Sequence, residues 1–340
     1  MIREFDLIRA LHQRYSRCTP SIIRGIGDDA AIVASRAAEW TVLTTDLLAE
    51  GVHFDLKTAT MTDLGFRAAA ANLSDIAAMG ATPRYVLVAL AVPRTGSGHD
   101  VHRLYRGMMA ACRPHRVRLI GGDTSASNSG WFISLTLIGT LPPRKALFRN
   151  GARIGDHLYV TGTIGDALAG LTLLNESPAG GKRRSGPAVL STRDRKFLIE
   201  RHLRPTARVA EGRWLNAHRF ATSAIDISDG LSGDLRHICE ESRVGVELNL
   251  SALPLSPACR AYATSRKLDP VDLALTGGED YELLFTVPPR QRRRLEQSAI
   301  KQGFSLTCIG TIQPLHFGVQ TVSPDGKHRR LANTSYEHFT

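Results

Sequence analysis

The chain is 340 residues long, 43% hydrophobic and 22% charged, with 43 basic against 32 acidic side chains and a formal net charge of +11. Its length points to two domains rather than one core, and its ordinary composition excludes a disordered or fibrous chain. No run of about 18 apolar residues exists, which excludes a transmembrane helix; Cys18, Cys112, Cys239, Cys259 and Cys308 form no CxxC pair, which argues against a zinc site and for the reducing cytoplasm.

The opening MIREFDLIRALHQRY reads as a short amphipathic helix over about 3–15, without the apolar core of a signal peptide. GIGDDAAIV (Gly25–Val33) follows, its end reading as a strand, and TVLTTDLL (Thr41–Leu48) as another. DLGFRAAAANLSDIAAM (Asp63–Met79) predicts a helix whose alanines let another element approach closely. RYVLVALAVP (Arg84–Pro93) reads as a fully buried strand ending at proline. A helix from Gly98 to about His115, strands at VRLIGGD and WFISLTLIGT, and a linker at Leu141-Pro142-Pro143-Arg144 complete the first half.

The second half restarts with a strand, GDHLYVTG, and a helix from Asp166. A polar, basic stretch from Glu176 to Arg193 reads as a flexible loop. Helices near 193–202 and 206–217 follow, then SAIDISDGL, a strand breaking into a helix. VGVELNL, YELLFTV and FSLTCIGTI supply strands, with QRRRLEQSAIKQ as a connecting helix. Strands and helices mix in both halves, which gives two α/β domains of α+β type joined near 142–150.

The adjacent acids Asp28 and Asp29 pose a problem inside an apolar run. Two carboxylates a few ångströms apart repel by roughly 3 kcal/mol at an effective dielectric near 20, and burial adds to that. Either both face water or a cation lies between them. Asp46, Asp123, Asp226, Asp229, Glu279 and Asp280 share the setting, each at or near an apolar strand end beside glycine or a small hydroxyl residue. Asp75 lies instead on the alanine-rich helix, on one face with Asn72. Any one of these acids could cap a helix or a turn, Asp229 above all. Capping does not explain so many at strand ends of a basic protein. Magnesium does: it takes oxygen ligands and joins carboxylates to phosphates. The hydroxyls of Thr44 and Thr45 would add to such a cluster.

Two nucleotide motifs fail. Gly25-x-Gly27-x-x-Ala30 would aim Asp28 and Asp29 at a pyrophosphate and continues into a strand, and no GxxxxGK[ST] is present. The basic runs Lys182–Arg184, Arg292–Arg294 and Lys327–Arg330 lack the interleaved aromatics of single-strand binders and read as solvated surface.

Taken in order, GIGDDAAIV, TTDLLAEGVHF, NLSDIAAMGATPR, LIGGDTSAS, YVTGTIGDALAGL, RHLRPTARV, SAIDISDGLSGDL and GGEDYELLFTV resemble the thiamine-monophosphate kinase family, and they span nearly the whole chain. The resemblance implies direct, in-line transfer of the ATP γ-phosphate to thiamine monophosphate on several Mg²⁺ ions. It implies an N-terminal ATP- and Mg²⁺-binding domain over 1–146, with a mixed sheet that pairs in a homodimer, and a C-terminal domain over 147–340 completing the site. Metal ligands by this carry-over are Asp28, Asp29, Thr44, Thr45, Asp46, Asp75, Asp123, Asp226 and Asp229. Tyr105, Gly122, Asp123, Arg149 and Ser228 would meet ATP; His53, Glu279 and Tyr336 would meet the thiamine phosphate. No acid–base residue is implied, and neither nucleic acid nor membrane is an expected partner. After GGDT the chain reads SASNSG, where the family carries an arginine-containing segment. The rivals are a sister ATP-dependent synthetase resembling aminoimidazole ribonucleotide synthetase, and a non-catalytic basic protein that binds nucleic acid.

Overall fold

The structure is a computed structural model that describes residue 13 and residues 22–24, 28–34, 39–176, 190–323 and 325–332. The expected helix over 3–15 (Gln13 apart), residues 177–189 of the basic stretch and Tyr336 lie outside the described residues. Two units divide the chain: Met1–Ala146 with Thr206–Ala217 and His338–Thr340, and Leu147–Pro205 with His218–Glu337.

In the first unit, β1 (Ile22–Arg24), β2 (Ala31–Ala34), β3 (Trp40–Ala49), β4 (Thr82–Pro93), β5 (Arg118–Ser127) and β6 (Phe132–Leu141) form one sheet in the order β1-β2-β3-β6-β4-β5. Its pairs are antiparallel except β4 with β5, so the sheet is mixed as expected. The helices described in this unit include α1 (Met61–Ala78), started by a Thr60 cap, and α2 (Gly98–Cys112), started by a Ser97–Asp100 capping box. Helix α1 packs on β3, β4 and β6.

Close approach to α1 takes place at glycines. A Cβ on Gly65 would lie 1.9 Å from the Leu104 carbonyl oxygen of α2, and one on Gly107 would lie 1.8 Å from that of Thr62. At the far end of α1, a Cβ on Gly212 would lie 2.0 Å from the Ala77 oxygen, so the helix Val209–His218 docks there. The Asn216 amide donates to the Gly80 carbonyl, 2.9 Å away. These contacts tie residues 206–217 to the first unit. Gly65→Ala is expected to cost about 1–3 kcal/mol, because backbone must move to admit the methyl; a thermal midpoint equal to the wild type would refute this backbone contact.

The expectation of a fully buried β4 is corrected. Val86, Val88 and Leu90 are buried, but Tyr85 and Ala89, alternating with them, are exposed. Among the described residues, helix α1 covers one face of the sheet, and the period of two sends every second residue to the other, open one. That open face carries exposed apolar side chains among its hydroxyls: Leu47 is 53% exposed, Tyr85 42% and Phe132 36%.

In the second unit, β7 (His157–Thr161), β8 (Ser223–Asp226), β9 (Gly245–Asn249), β10 (Leu283–Val287), β11 (Leu306–Gln313), β12 (Val319–Val322) and β13 (His328–Arg330) pair in the order β13-β12-β9-β11-β7-β10-β8. All pairs are antiparallel except β9 with β12. Strand β10, buried along its whole length, fits its unbroken apolar run. The helices are α3 (Asp166–Asn175), α4 (Thr192–Leu203), α6 (Leu231–Ser242), α7 (Pro257–Arg266), α8 (Pro270–Thr276) and α9 (Arg292–Gln302), with α5 (Val209–His218) lying largely in the first unit. One core packs Leu235 and Ile238 of α6 on Leu158, Val246, Leu284 and Ile309 of the sheet; another joins α3, α4, α7 and α8 through Leu173, Leu198, Tyr262 and Leu273. Among the described residues, no helix is long and apolar enough to cross a membrane. Cys112, Cys239 and Cys259 are free and buried, their thiols pushed up to about 12 by desolvation.

Candidate active site

In the first unit, strand alternation sorts the candidate residues. Thr44 and Asp46 lie on the helix-covered face of β3, Asp46 in register with the buried Leu135. The Thr44 hydroxyl donates to the Asp75 carboxylate on α1. Thr45 points the other way. It pairs with Thr136 on the open face, and its hydroxyl donates to the Leu135 carbonyl, 3.1 Å away. Asp123 sits on exposed edge strand β5, in register with Ala89 of the open face. The structure therefore gathers Thr44, Asp46 and Asp75 on one face and leaves Thr45 and Asp123 apart from them.

The paired acids of GIGDD are separated in role. Arg24 Nε donates to Asp28 across 2.7 Å, and Asp28 also accepts from the Asp29 backbone N–H. An arginine of the chain itself thus neutralises the first acid. Asp29 turns elsewhere: one of its carboxylate oxygens lies within 4.8 Å of one on Asp75. At that separation two bare carboxylates repel by roughly 3 kcal/mol at an effective dielectric of 20. The donor set is oxygen only, which fits Mg²⁺ and not a soft metal.

Other candidates in this unit have local partners. His53 Nδ1 accepts from the Ala49 N–H at 3.0 Å, which places the proton of the neutral ring on Nε2, and buried Arg67 donates to the His53 carbonyl. A Cβ on Gly122 would lie 2.0 Å from the Val88 oxygen, so strand pairing itself requires glycine there. Tyr105 is partly buried on α2, its phenol pushed up by desolvation.

In the second unit, two loops interlock. The turn Ile227–Gly230 links β8 to α6, and Gly277–Glu282 leads into β10. Glu279 donates its N–H to the Ser228 carbonyl at 2.8 Å, and Tyr281 to that of Ile227 at 2.9 Å. A Cβ on Gly278 would lie 2.4 Å from the Ser228 oxygen, so the contact demands glycine. Glu279 and Tyr281 both sit in the left-handed region, at φ 65° and 52°, which costs non-glycine residues energy and recurs at functional loops.

Buried Asp234, three residues into α6, holds the first loop from below. Its Oδ2 accepts the N–H groups of Ser228, Asp229 and Gly230 at 3.2, 3.2 and 3.1 Å. Burial first, then the charges of Asp229 and Asp226, push its carboxyl well above the usual range, and Arg149 opposes them. Three acids and one arginine thus converge at this turn. Asp234 is not among the residues that the motifs single out; its signal in the sequence is an acid in the first turn of a helix opened by Asp-Gly.

Behind the second loop lies a buried ionic network. Asp280, fully buried, accepts the N–H groups of Gly165 at 2.6 Å and Ala167 at 3.0 Å at the start of α3. Desolvation nevertheless pushes its carboxyl up to about 7. Arg201 of α4 donates to Glu282 at 2.9 Å and lies 3.6 Å from Asp166, itself raised by burial. The Thr161 hydroxyl donates to the other Glu282 oxygen at 2.6 Å. Of the acids in this segment, Asp280 and Glu282 are buried, while the Glu279 side chain is 27% exposed.

Residues 27–141 match the N-terminal domain, and residues 153–320 the C-terminal domain, of the AIR synthase related proteins, so the two halves together define a protein of that class. A thiamine-monophosphate kinase of Haemophilus influenzae is 40% identical over 311 residues, covering 91% of this chain and 89% of the relative. That of Escherichia coli K12 is 37% identical over 339 residues, with 99% and 98% covered. A solved structure of AaThiL complexed with AMPPCP and TMP superposes with a TM-score of 0.83 at 34% identity, over 99% of this chain and 97% of that one. The chain belongs to the thiamine-monophosphate kinase family, as its ordered motifs led us to expect.

Proposed function

We propose that the protein transfers the γ-phosphate of ATP directly to thiamine monophosphate, giving thiamine diphosphate and ADP, the last step in making that coenzyme. The observation that carries this reading is the approach of Asp29 and Asp75, in a chain of net charge +11, within the geometry of this family. The nucleophile is a phosphate oxygen already anionic at neutral pH, so no general base is required, and the barrier lies in bringing two polyanions into line.

Asp29, Asp46 and Asp75 in the first unit, and Asp226 and Asp229 in the second, would hold Mg²⁺. When bound, the ions supply charge neutralisation of the polyphosphate. Thr44 fixes the rotamer of Asp75 through its hydroxyl bond. Asp234 shapes the turn that carries Asp229 and Ser228 through its three backbone bonds. The Nε2–H of His53 offers a donor to a phosphate oxygen, and the partly exposed Glu279 offers an acceptor to the aminopyrimidine or a counter-charge to the thiazolium ring. Tyr336 takes its place at the thiamine ring from the motif alone, and Arg149 its place at ATP. Residues 1–146 provide the ATP, Mg²⁺ and dimer functions, and 147–340 complete the site. The exposed apolar side chains on the open face of β3, β4 and β6 support pairing with a second copy, and ATP dependence suits the cytoplasm.

The testing experiment supplies Mg²⁺, ATP and thiamine monophosphate, and follows thiamine diphosphate as its thiochrome derivative. Free thiamine and aminoimidazole ribonucleotide precursors run in parallel. Product is expected from the monophosphate alone and is lost on adding EDTA. Turnover of a ribonucleotide precursor instead would move the protein to a sister synthetase.

A further inference from the structure

We propose that His202 is a positioning residue for Glu279: from the end of α4 it fixes the carboxylate that meets the thiamine ring, and so sets how tightly the acceptor is held without touching it. This rests on the reading of Glu279 given above.

The contact joins two unlike environments. His202 is 3% exposed, whereas the Glu279 side chain keeps 27% of its surface open, and Nδ1 of the one lies 3.4 Å from Oε2 of the other. An imidazole donates from Nδ1 as the cation, or as the neutral tautomer protonated there. Of the three acids in this segment, His202 therefore reaches the one whose carboxylate a ligand can also reach. Its separation is that of an ion pair.

The mount of His202 is rigid. Helix α3 presents Gly170 to α4, where an added Cβ would lie 2.0 Å from the Leu198 oxygen and 3.2 Å from the His202 Cβ. Residue 201, one step earlier, is locked by its own bonds to Glu282 and to the Thr163 carbonyl. On the acid's side, Asp280 is clamped to the start of α3 and the backbone of Glu279 to Ser228. With both backbones held, the freedom left is in the Glu279 side chain, and the imidazole restrains that. A purely space-filling role would be met as well by an apolar side chain, as Leu198 does one turn earlier.

The test uses the full chain with His202→Phe, which keeps the bulk and removes the donor, and His202→Asn, whose amide can return an N–H near Nδ1. Steady-state kinetics are measured against thiamine monophosphate and ATP in turn. His202→Phe is expected to raise KM for thiamine monophosphate by about tenfold, with KM for ATP and kcat within about twofold of the wild type. His202→Asn recovers most of that loss, and the His202→Phe effect disappears in a Glu279→Ala background. Unchanged kinetics in His202→Phe, or a fall in kcat together with a fall in thermal midpoint that asparagine does not rescue, overturns the proposal. Should the wild type not use thiamine monophosphate, the functional reading fails separately. The pairing itself is then read by NMR titration of the His202 ring, whose pKa is expected to fall in Glu279→Gln; an unchanged value overturns the pairing.

Discussion

Asp75→Asn is expected to lower thiamine diphosphate formation by about a hundredfold or more, with the thermal midpoint within a few degrees of the wild type. The carboxylate accepts the Thr44 hydroxyl and faces Asp29 within 4.8 Å. Asparagine keeps an acceptor for Thr44, so the fold loses little, and relief of the repulsion between two acids offsets the change. What disappears is the negative charge that would bind Mg²⁺, and removing a single oxyanion-hole donor, a comparable stabiliser of transition-state charge, already costs about 10²–10³ in rate. The same outcome is expected for Asp46→Asn, which shares the helix-covered face of β3. Coupled-assay rates with the Mg²⁺ concentration varied decide the matter. Rates equal to the wild type in both variants would remove the metal reading of this face.

Arg201→Met is expected to destabilise the protein strongly at neutral pH and much less in mild acid. The guanidinium lies among Asp166, Asp280 and Glu282, all buried. Removing the cation from a buried cluster leaves uncompensated charge, at a cost of about 3–5 kcal/mol. Asp280 ionises at about 7 in the fold against 3.8 in its ordinary state, and Asp166 is shifted in the same direction. A carboxyl raised in this way contributes its full stability below about 4 and loses it as pH rises through about 7, because the unfolded chain has already released the proton that the native state keeps. Below about 6 Asp280 of the variant carries its proton and needs no cation, so the deficit relative to the wild type narrows. Denaturant midpoints from pH 5 to 8 test this; a deficit independent of pH would mean that Arg201 acts by packing alone.

Much of this arrangement was legible in the residues. Thr41–Leu48 reads as a strand because its threonines and leucines suit a pleated, half-covered surface, and β3 extends it by one residue at each end. The alanines of α1 imply a close neighbour, and the neighbours reach it through Gly107 and Gly212, far away in the chain. The burial of β4 was misread because an unbroken apolar run has no internal sign of which face is covered; a sheet with helices on one side shows the same letters as one covered on both. Pairing decides Thr45 and Asp123 too, since the face on which a side chain emerges follows from register, which no local motif encodes. Arg24 is four residues from Asp28, yet the intervening glycines hide that the two meet. The short helices Pro257–Arg266 and Pro270–Thr276 carry clear starts, Ser256-Pro257 and Asp269-Pro270, but little amphipathic pattern to follow them. His202 has no sequence signal, because its partner is a residue 77 positions later that only the packing of α3 on α4 brings near.

The backbone bonds between Glu279 and Ser228, and between Tyr281 and Ile227, bear on how such proteins can be recombined. Two segments fastened to each other through main-chain atoms and a glycine contact behave as one cassette. A chimaera that takes its Gly277–Glu282 loop from one relative and its Asp-Gly turn from another must keep the spacing of both strands and the glycine at 278, or it loses both segments together. Swaps confined to side chains that project outward from the cassette leave the fastening intact. If Glu279 meets the acceptor as proposed, acceptor range is the property that directed variation at these loops would change first, with the Asp-Gly turn carried along unchanged.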